Sequence, residues 1–208
     1  MYRKTNKTTQ PIRSQSDRDA IISYFLHHNL RDYALFVFGI YTGRRIADLV
    51  ALTVRDVAYI DRKSRFCIVD RLKLQERKTG KFVDLLLHSY ARRALKKYLK
   101  KRLKSAPSMG ALLNEPLFKS QKPGTLGEPR NVTKQHAWHI LTSAARACGL
   151  NYKIGTHSLR KTFGYMLHQK DVSIELIQKF LNHSSPEITL DYIGVTRDDM
   201  DEAIMELD

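Results

Sequence analysis

Four short stretches of the sequence concentrate side chains that can grip an anion or move a proton. They are Thr42-Gly43-Arg44-Arg45-Ile46-Ala47-Asp48-Leu49, then Lys78-Thr79-Gly80, then His157-Ser158-Leu159-Arg160, and last Leu181-Asn182-His183-Ser184-Ser185 followed by Thr189-Leu190-Asp191-Tyr192. Arginine suits a phosphate because its planar fork donates two parallel hydrogen bonds and stays charged. Lysine and histidine can deliver or accept protons, and a tyrosine hydroxyl becomes a nucleophile once it loses its own. Any one of these stretches is a weak signal. The chain has ten tyrosines, so Tyr192 alone would count as one more core or surface aromatic; only its position nine residues after His183 lifts it.

Taken together and in this order, with Tyr192 closing the series, the stretches resemble the catalytic domain of the tyrosine recombinases, or phage integrases, over roughly residues 16 to 195. The resemblance implies roles position by position. Arg45 matches the first catalytic arginine, with Asp48 in the place of the acidic residue that supports it. Lys78 matches the lysine of a β-turn, His157 and Arg160 the His-x-x-Arg pair, His183 the next His or Trp position, and Tyr192 the nucleophile. Arg44 is expected as a phosphate contact or surface charge. The implied activity is site-specific cleavage and rejoining of double-stranded DNA through a 3′-phosphotyrosine, in integration, excision or inversion. The alternatives are a strand transferase like the type IB topoisomerases and a non-catalytic DNA-binding accessory protein on the same fold.

That chemistry explains the residue types. A tyrosine hydroxyl with a pKa near 10 is only about 0.1% ionised at pH 7, a handicap of about 4 kcal/mol, so a base or a positive field must remove its proton. His157 is assigned that proton, and His183 a hydrogen bond to the phosphate or to the displaced proton. Attack on the phosphodiester adds negative charge to the non-bridging oxygens, which Arg45 and Arg160 can clamp from two sides without a metal or other cofactor. Lys78 on its turn can give the leaving 5′ oxygen a proton. His136 and His139, flanking Trp138, have spacing that could hold a metal, but no Cys or Glu completes a ligand set nearby; a DNA-facing or half-buried helix surface is expected instead.

The elements that must position these groups are mainly helical, with a small antiparallel sheet. Ser14 or Ser16, with acids at 17 and 19, starts a helix carrying Ile21, Ile22, Phe25 and Leu26 on one side. Residues 31 to 41 form a second helix whose nearly all-round apolarity marks it as core, broken at Thr42-Gly43, with a short helix following over 47 to 52. Residues 65 to 69 and 81 to 87 alternate as strands on either side of a Lys-rich segment and are expected to pair as one hairpin-like sheet. Residues 88 to 104 form a helix with Ala91, Leu95, Tyr98, Leu99 and Leu103 on one stripe. On its other faces Arg92, Arg93, Lys96, Lys97, Lys100 and Lys101 form either a solvated surface or a DNA-binding one. Residues 105 to 130, rich in Pro and Gly, read as a long loop. Helices resume over 132 to 148, 158 to 169, 173 to 181 and from Ser185, where Pro186 and Glu187 complete the start signal.

Charge and composition fit this picture and exclude others. The 208 residues carry a formal +15, and because residues 198 to 208 contribute six acids and no base, residues 1 to 197 carry +21, a balance suited to a polyanion. With 42% hydrophobic residues in periodic runs, most of the chain is not disordered. The longest apolar stretch, residues 34 to 41, is far short of the ~20 a membrane span needs, and residues 1 to 10 have no signal-peptide core. Cys67 and Cys148 are expected as buried free thiols in a bacterial or phage-encoded protein of the cytoplasm, associated with the nucleoid.

The organisation expected is a flexible basic arm over 1 to 13, the catalytic domain over 14 to 197, and an acidic amphipathic helix over 198 to 208. Met200, Ala203, Ile204 and Leu207 share one stripe of that helix, which docks on a neighbouring protomer or folds back on its own domain. Most tyrosine recombinases carry a separate helical DNA-binding domain in front; here only 44 residues precede Arg45, as in the short recombinases that invert DNA in fimbrial phase switching. A homotetramer on paired DNA sites is implied, with a monomer possible when free.

Overall fold

The computed structural model describes residues 8–195 together with residues 201, 204 and 205. Its centre is α2 (Leu30–Thr42), buried along nearly its whole length as its all-round apolarity requires. One side of α2, with Phe36, Val37 and Ile40, packs on Ile21 and Phe25 of α1 (Gln15–His28) and on Leu141 and Leu159. The other side, with Ala34, Leu35 and Phe38, packs on Leu95 and Leu99 of α4 (Ser89–Leu103) and on Phe118. Between them lie the one-turn α3 (Ile46–Leu49) and four short strands, β1 (Ala58–Ile60), β2 (Phe66–Ile68), β3 (Arg71–Gln75) and β4 (Phe82–Leu86).

The strands correct one expectation. The two apolar runs do not pair with each other: β2 pairs antiparallel with β1, Tyr59 opposite Cys67, and β4 pairs antiparallel with β3, Lys73 opposite Asp84. The mainly α architecture with small antiparallel sheets holds, but the Lys-rich segment itself supplies a strand. β3 alternates buried Leu72 with exposed Arg71 and Lys73, a period of two that rests on just two apolar residues, Leu72 and Leu74, inside a basic segment.

The long loop of 105 to 130 is also more ordered than its composition suggests. Ser108 caps α5 (Met109–Leu113), Leu117 and Phe118 are fully buried, and Leu117 N–H donates to Leu52 O. The arm expected over 1 to 13 is docked where it is described: Ile12 is fully buried, its N–H donates to Thr162 Oγ1 at 2.8 Å, and Arg18 Nη1 holds Ile12 O. An apolar Ile followed by a helix start explains this, because burying one Ile side chain is worth about 2 kcal/mol. Cys67 and Cys148 are unpaired and half-buried rather than buried. Most of the C-terminal helix expected over 198 to 208 lies outside the described residues; Ile204 and Met205 are helical and exposed.

After α5 come α6 (Lys134–Ala147), α7 (Thr156–His168), α8 (Ile174–Leu181) and α9 (Pro186–Ile193). The last three form a separate small core of Phe163, Ile177, Leu181 and Ile193, against which Tyr192 also packs. Ser185 caps α9 by accepting from Ile188 N–H, with Pro186 in the first turn, as the sequence signal required. Gly164 lets α9 sit directly on α7: a Cβ there would lie 2.5 Å from Ile193 Cγ2 and 3.1 Å from Leu181 Cδ1, with helical backbone around it. Gly164→Ala is therefore expected to lower stability by about 1–3 kcal/mol through overpacking, despite alanine's better helix propensity. Urea unfolding checks this, and an unchanged or higher midpoint would show that α9 is free to shift.

Candidate active site

The site begins where α2 ends. Gly43 caps α2 in the left-handed conformation (φ +62°), and a side chain there would run into the Phe163 ring, so this turn needs glycine. The turn sends Arg44 inward and Arg45 along the surface. Arg44, expected as a phosphate contact or surface charge, is 3% exposed, and its three nitrogens donate to Thr42 O, Glu76 Oε1 and Phe180 O. It is an interior residue that joins α2 to α8. Arg45 remains partly exposed, with Nη1 on Glu76 Oε2 at 2.7 Å.

Glu76 is the residue that sequence reasoning missed. Its side chain is fully buried at the end of β3, where one carboxylate meets Arg44 Nη1 at 3.2 Å, Arg45 Nη1 at 2.7 Å and Thr79 Oγ1 at 2.7 Å, with Arg160 Nη1 at 4.0 Å. Burial by itself would raise its pKa, but hydrogen bonds from Thr79 and Arg45 and the charges of Arg45 and Arg44 hold it below the usual carboxylate range. Asp48, expected to support Arg45, instead accepts Arg77 N–H at 2.9 Å; its Oδ2 is buried with no hydrogen-bond partner among the described residues. Asp48 thus steadies the turn that carries Lys78, which Gly80 N–H to Glu76 O closes.

The start of α7 brings the next pair. His157 is exposed in its first turn, and Arg160 lies one turn further on, 2% exposed, donating to Gly43 O at 2.7 Å and to Leu181 O. Burial and the neighbouring guanidinium of Arg44 lower Arg160 to a pKa of about 10, so it stays charged at pH 7. Arg45, Lys78, His157 and Arg160 line one cleft of about 660 Å³, together with Lys134 and Trp138 of α6. Residues from 45 to 160 in sequence converge there on four cationic or proton-bearing groups, an arrangement that can bind a phosphate and supply or take a proton.

His183 and Tyr192 stand on the α8–α9 corner rather than in the cleft lining. Their rings meet edge to face at 4.8 Å, and His183 Nδ1 lies 3.2 Å from Thr189 Oγ1. Lys161, also unforeseen, places its ammonium 5.2 Å from the Tyr192 ring centroid. The corner is tied to the rest by Asn182, left-handed at φ +49°, which accepts from Lys81 Nζ at 2.7 Å and donates to Glu76 Oε2 at 3.4 Å. Burial pushes the Tyr192 hydroxyl up and outweighs the opposing pull of Arg160 and Arg45, so the free protein holds a neutral phenol. Burial first, then the charges of Arg160 and Arg45, press His183 down to about 4; His157, exposed at one edge, is lowered by partial desolvation of its ring against the cleft and by Lys161, Arg160 and Arg45. Both imidazoles are neutral at pH 7.

The basic residues of α4 are not brought to this cleft. Arg92 pairs with Asp70 at 2.7 Å, Arg93 lies over the Tyr90 ring at 4.4 Å, and Lys96, Lys97, Lys100 and Lys101 are exposed on the same helix. Trp138 and His139 are exposed on α6, and among the described residues no group of three His, Cys, Asp or Glu could hold a metal ion.

A family model described as the phage integrase family matches residues 14–198. The chain belongs to the phage integrase family. Within the family, it is 39% identical over 189 residues to the probable integrase/recombinase YoeC of Bacillus subtilis, covering 91% of both chains. It is 28% identical to the tyrosine recombinase XerD of Corynebacterium glutamicum over 84% of this chain, but spans only about half (51%) of that relative. It is also 28% identical to the type 1 fimbriae regulatory protein FimB of Escherichia coli, over 79% of this chain and 74% of FimB. Among solved structures, the XerA recombinase superposes with a TM-score of 0.72 at 21% identity, covering 96% of this chain and 64% of that one. The XerH recombinase bound to a palindromic difH substrate superposes at 0.67 and 20% identity, over 97% of this chain and 54% of that one. These likenesses confirm the fold.

The low pKa of His183 gives a direct check of the site's electrostatics. In the free protein its imidazole should titrate near pH 4, well below the ordinary 6.5. In the unfolded chain it takes its proton near 6.5, so the stability supported by the neutral ring is complete above that pH and lost as the pH falls toward 4. Ring-proton NMR across this range reads the midpoint, and a value near 6.5 would contradict the charge field described here.

Proposed function

We propose that this protein is a site-specific recombinase that cleaves and rejoins double-stranded DNA, with Tyr192 as its nucleophile. The observation that carries the reading is the convergence of Arg45, Lys78, His157 and Arg160 on one cleft, with Tyr192 held next to Arg160 by the packing of α9 on α7. Family membership and the likeness to the YoeC integrase/recombinase over nine tenths of both chains support the reaction class.

In the proposed reaction the Tyr192 oxygen attacks a DNA phosphorus, forming a bond to the 3′ phosphate as the bond to the 5′ oxygen breaks. The tyrosine proton goes to a neutral imidazole: His157, which lines the cleft, is the proposed acceptor, and His183, whose ring meets that of Tyr192 edge to face, is the proposed hydrogen-bond partner of the phosphate or the displaced proton. Arg45 and Arg160 hold the non-bridging oxygens as their charge grows, where a fixed donor is worth a factor of about 10²–10³ in rate. Lys78, on its exposed turn, protonates the 5′ oxygen. Attack by the 5′ hydroxyl of a partner strand runs the same steps backwards and frees Tyr192. Exchange between two duplexes requires several such sites at once, and a tetramer on paired DNA sites is the assembly this chemistry calls for. Among the described residues no helix is long and apolar enough to cross a membrane.

Tyr192→Phe, which removes only the hydroxyl, should abolish covalent attachment to a nicked suicide DNA substrate and leave DNA binding within about twofold, since phosphate contacts carry the affinity. Denaturing gels detect the adduct. A protein–DNA adduct that persists in Tyr192→Phe would overturn the assignment.

A further inference from the structure

Three guanidiniums, Arg44, Arg45 and Arg160, converge on a space with one fully buried carboxylate, and only two of the three serve the proposed cleft. Like charges this close repel strongly in a poorly solvated site. Without an anion between them, Arg45, the most exposed of the three, would swing out toward solvent. Glu76 supplies that anion, and it does so from a fixed backbone: it directly follows β3, its N–H donates to Lys81 O, and its carbonyl accepts Gly80 N–H. Its two carboxylate oxygens divide the work. Oε1 faces Arg44 and Arg160 from below, while Oε2 takes Arg45, Thr79 and the Asn182 amide.

We infer that Glu76 is a positioning residue for DNA cleavage, its buried carboxylate holding Arg45 against the cleft wall within reach of the same phosphate that Arg160 contacts. The inference rests on the recombinase chemistry proposed for Arg45 and Arg160. Glu76 does not touch the substrate, being 1% exposed beneath the arginines. Its neighbours also explain why an acid stands between Gln75 and the run Arg77-Lys78: a cation at 76 would leave the interior guanidinium of Arg44 without a partner for its Nη1. The role differs from that of Asp48, which secures the backbone of Arg77 and hence the lysine turn. Glu76 acts on the arginine side of the reaction and Asp48 on the lysine side.

The test is single-turnover cleavage by the full chain at saturating DNA, comparing E76Q, which keeps the shape and removes the charge, with E76D, which keeps the charge. Two substrates are used, one with an ordinary 5′ oxygen leaving group and one with a 5′ sulfur that needs no proton. Misplacing a clamp by about 1 Å costs on the order of 100-fold in rate. E76Q is therefore expected to lose about that factor in rate constant on both substrates while binding DNA as well as the parent, and E76D is expected to recover at least about a tenth of the parental rate. A purely structural role would lower the amplitude and the melting temperature but leave the rate constant of the folded, DNA-bound fraction unchanged, and that result would overturn the inference. Full rescue of E76Q by the sulfur substrate would overturn it too, by showing that Glu76 works through Lys78. Arg45→Ala measured alongside separates this role from the reading beneath it. If Arg45→Ala is inactive and E76Q is not, Glu76 alone is refuted; if Arg45→Ala cleaves normally, the arginine clamp itself is wrong.

Discussion

One carboxylate among three guanidiniums sets the constraint on which the arrangement of the site depends. Taking charges out of water is costly, and removing one partner of a buried ion pair commonly costs about 3–5 kcal/mol because the other is left uncompensated. Arg44 and Arg160 are each nearly fully buried, and neither could be so without Glu76 and the backbone carbonyls of Gly43, Phe180 and Leu181. Those carbonyls belong to the α2–α3 turn and to the end of α8. Satisfying the guanidiniums therefore fixes the turn after α2, the end of β3, the first turns of α7 and the corner before α9 relative to one another. The cleft is the exposed side of that cluster, and its positive field is what remains after one negative charge meets three positive ones.

Burial, working against that field, sets the resting state of the proposed nucleophile. Tyr192 is packed into the small core of α7, α8 and α9, and burial keeps its proton on despite two nearby arginines and the ammonium of Lys161 over its ring. Burial first, with the nearby cations adding to it, keeps His183 and His157 deprotonated, so in the proposed reaction a neutral imidazole is available when the phenol gives up its proton. In the proposed reaction a phosphate bound in the cleft would neutralise part of that field and engage Arg45 and Arg160, linking DNA binding to the groups around Tyr192.

Much of this was legible in the residues, for reasons that differ by element. α2 was clear because an all-apolar helix has one place to be, and α9 because Ser185 and Pro186 are strong local start signals. The order of Arg45, Lys78, His157, Arg160, His183 and Tyr192 pointed to one chemistry before any of them had a position. What was not legible depended on contacts distant in sequence. Glu76 looks like one acid in a basic segment until the fold brings Arg44, Arg45 and Arg160 to it. Arg44 and Arg45 are indistinguishable by type, and only the left-handed turn at Gly43 decides which is interior. β3 was overlooked because its alternation rests on only two leucines within a basic segment that reads as a turn, and the pairing of β1 with β2 because three-residue strands have almost no period. Ile12, in a stretch that reads as a tail, is buried through a partner 150 residues away.

The central claim is that the cluster around Glu76 and Arg160 serves a covalent step at Tyr192, and the most direct measurement of it is the site of attachment on the protein. A suicide DNA substrate trapped on the chain, digested with nuclease and trypsin and analysed by tandem mass spectrometry, should give the peptide of residues 180–197 carrying a nucleotide joined through its 3′ phosphate to Tyr192. Attachment through a 5′ phosphate, or to Ser184, Ser185 or any residue other than Tyr192, would contradict the account.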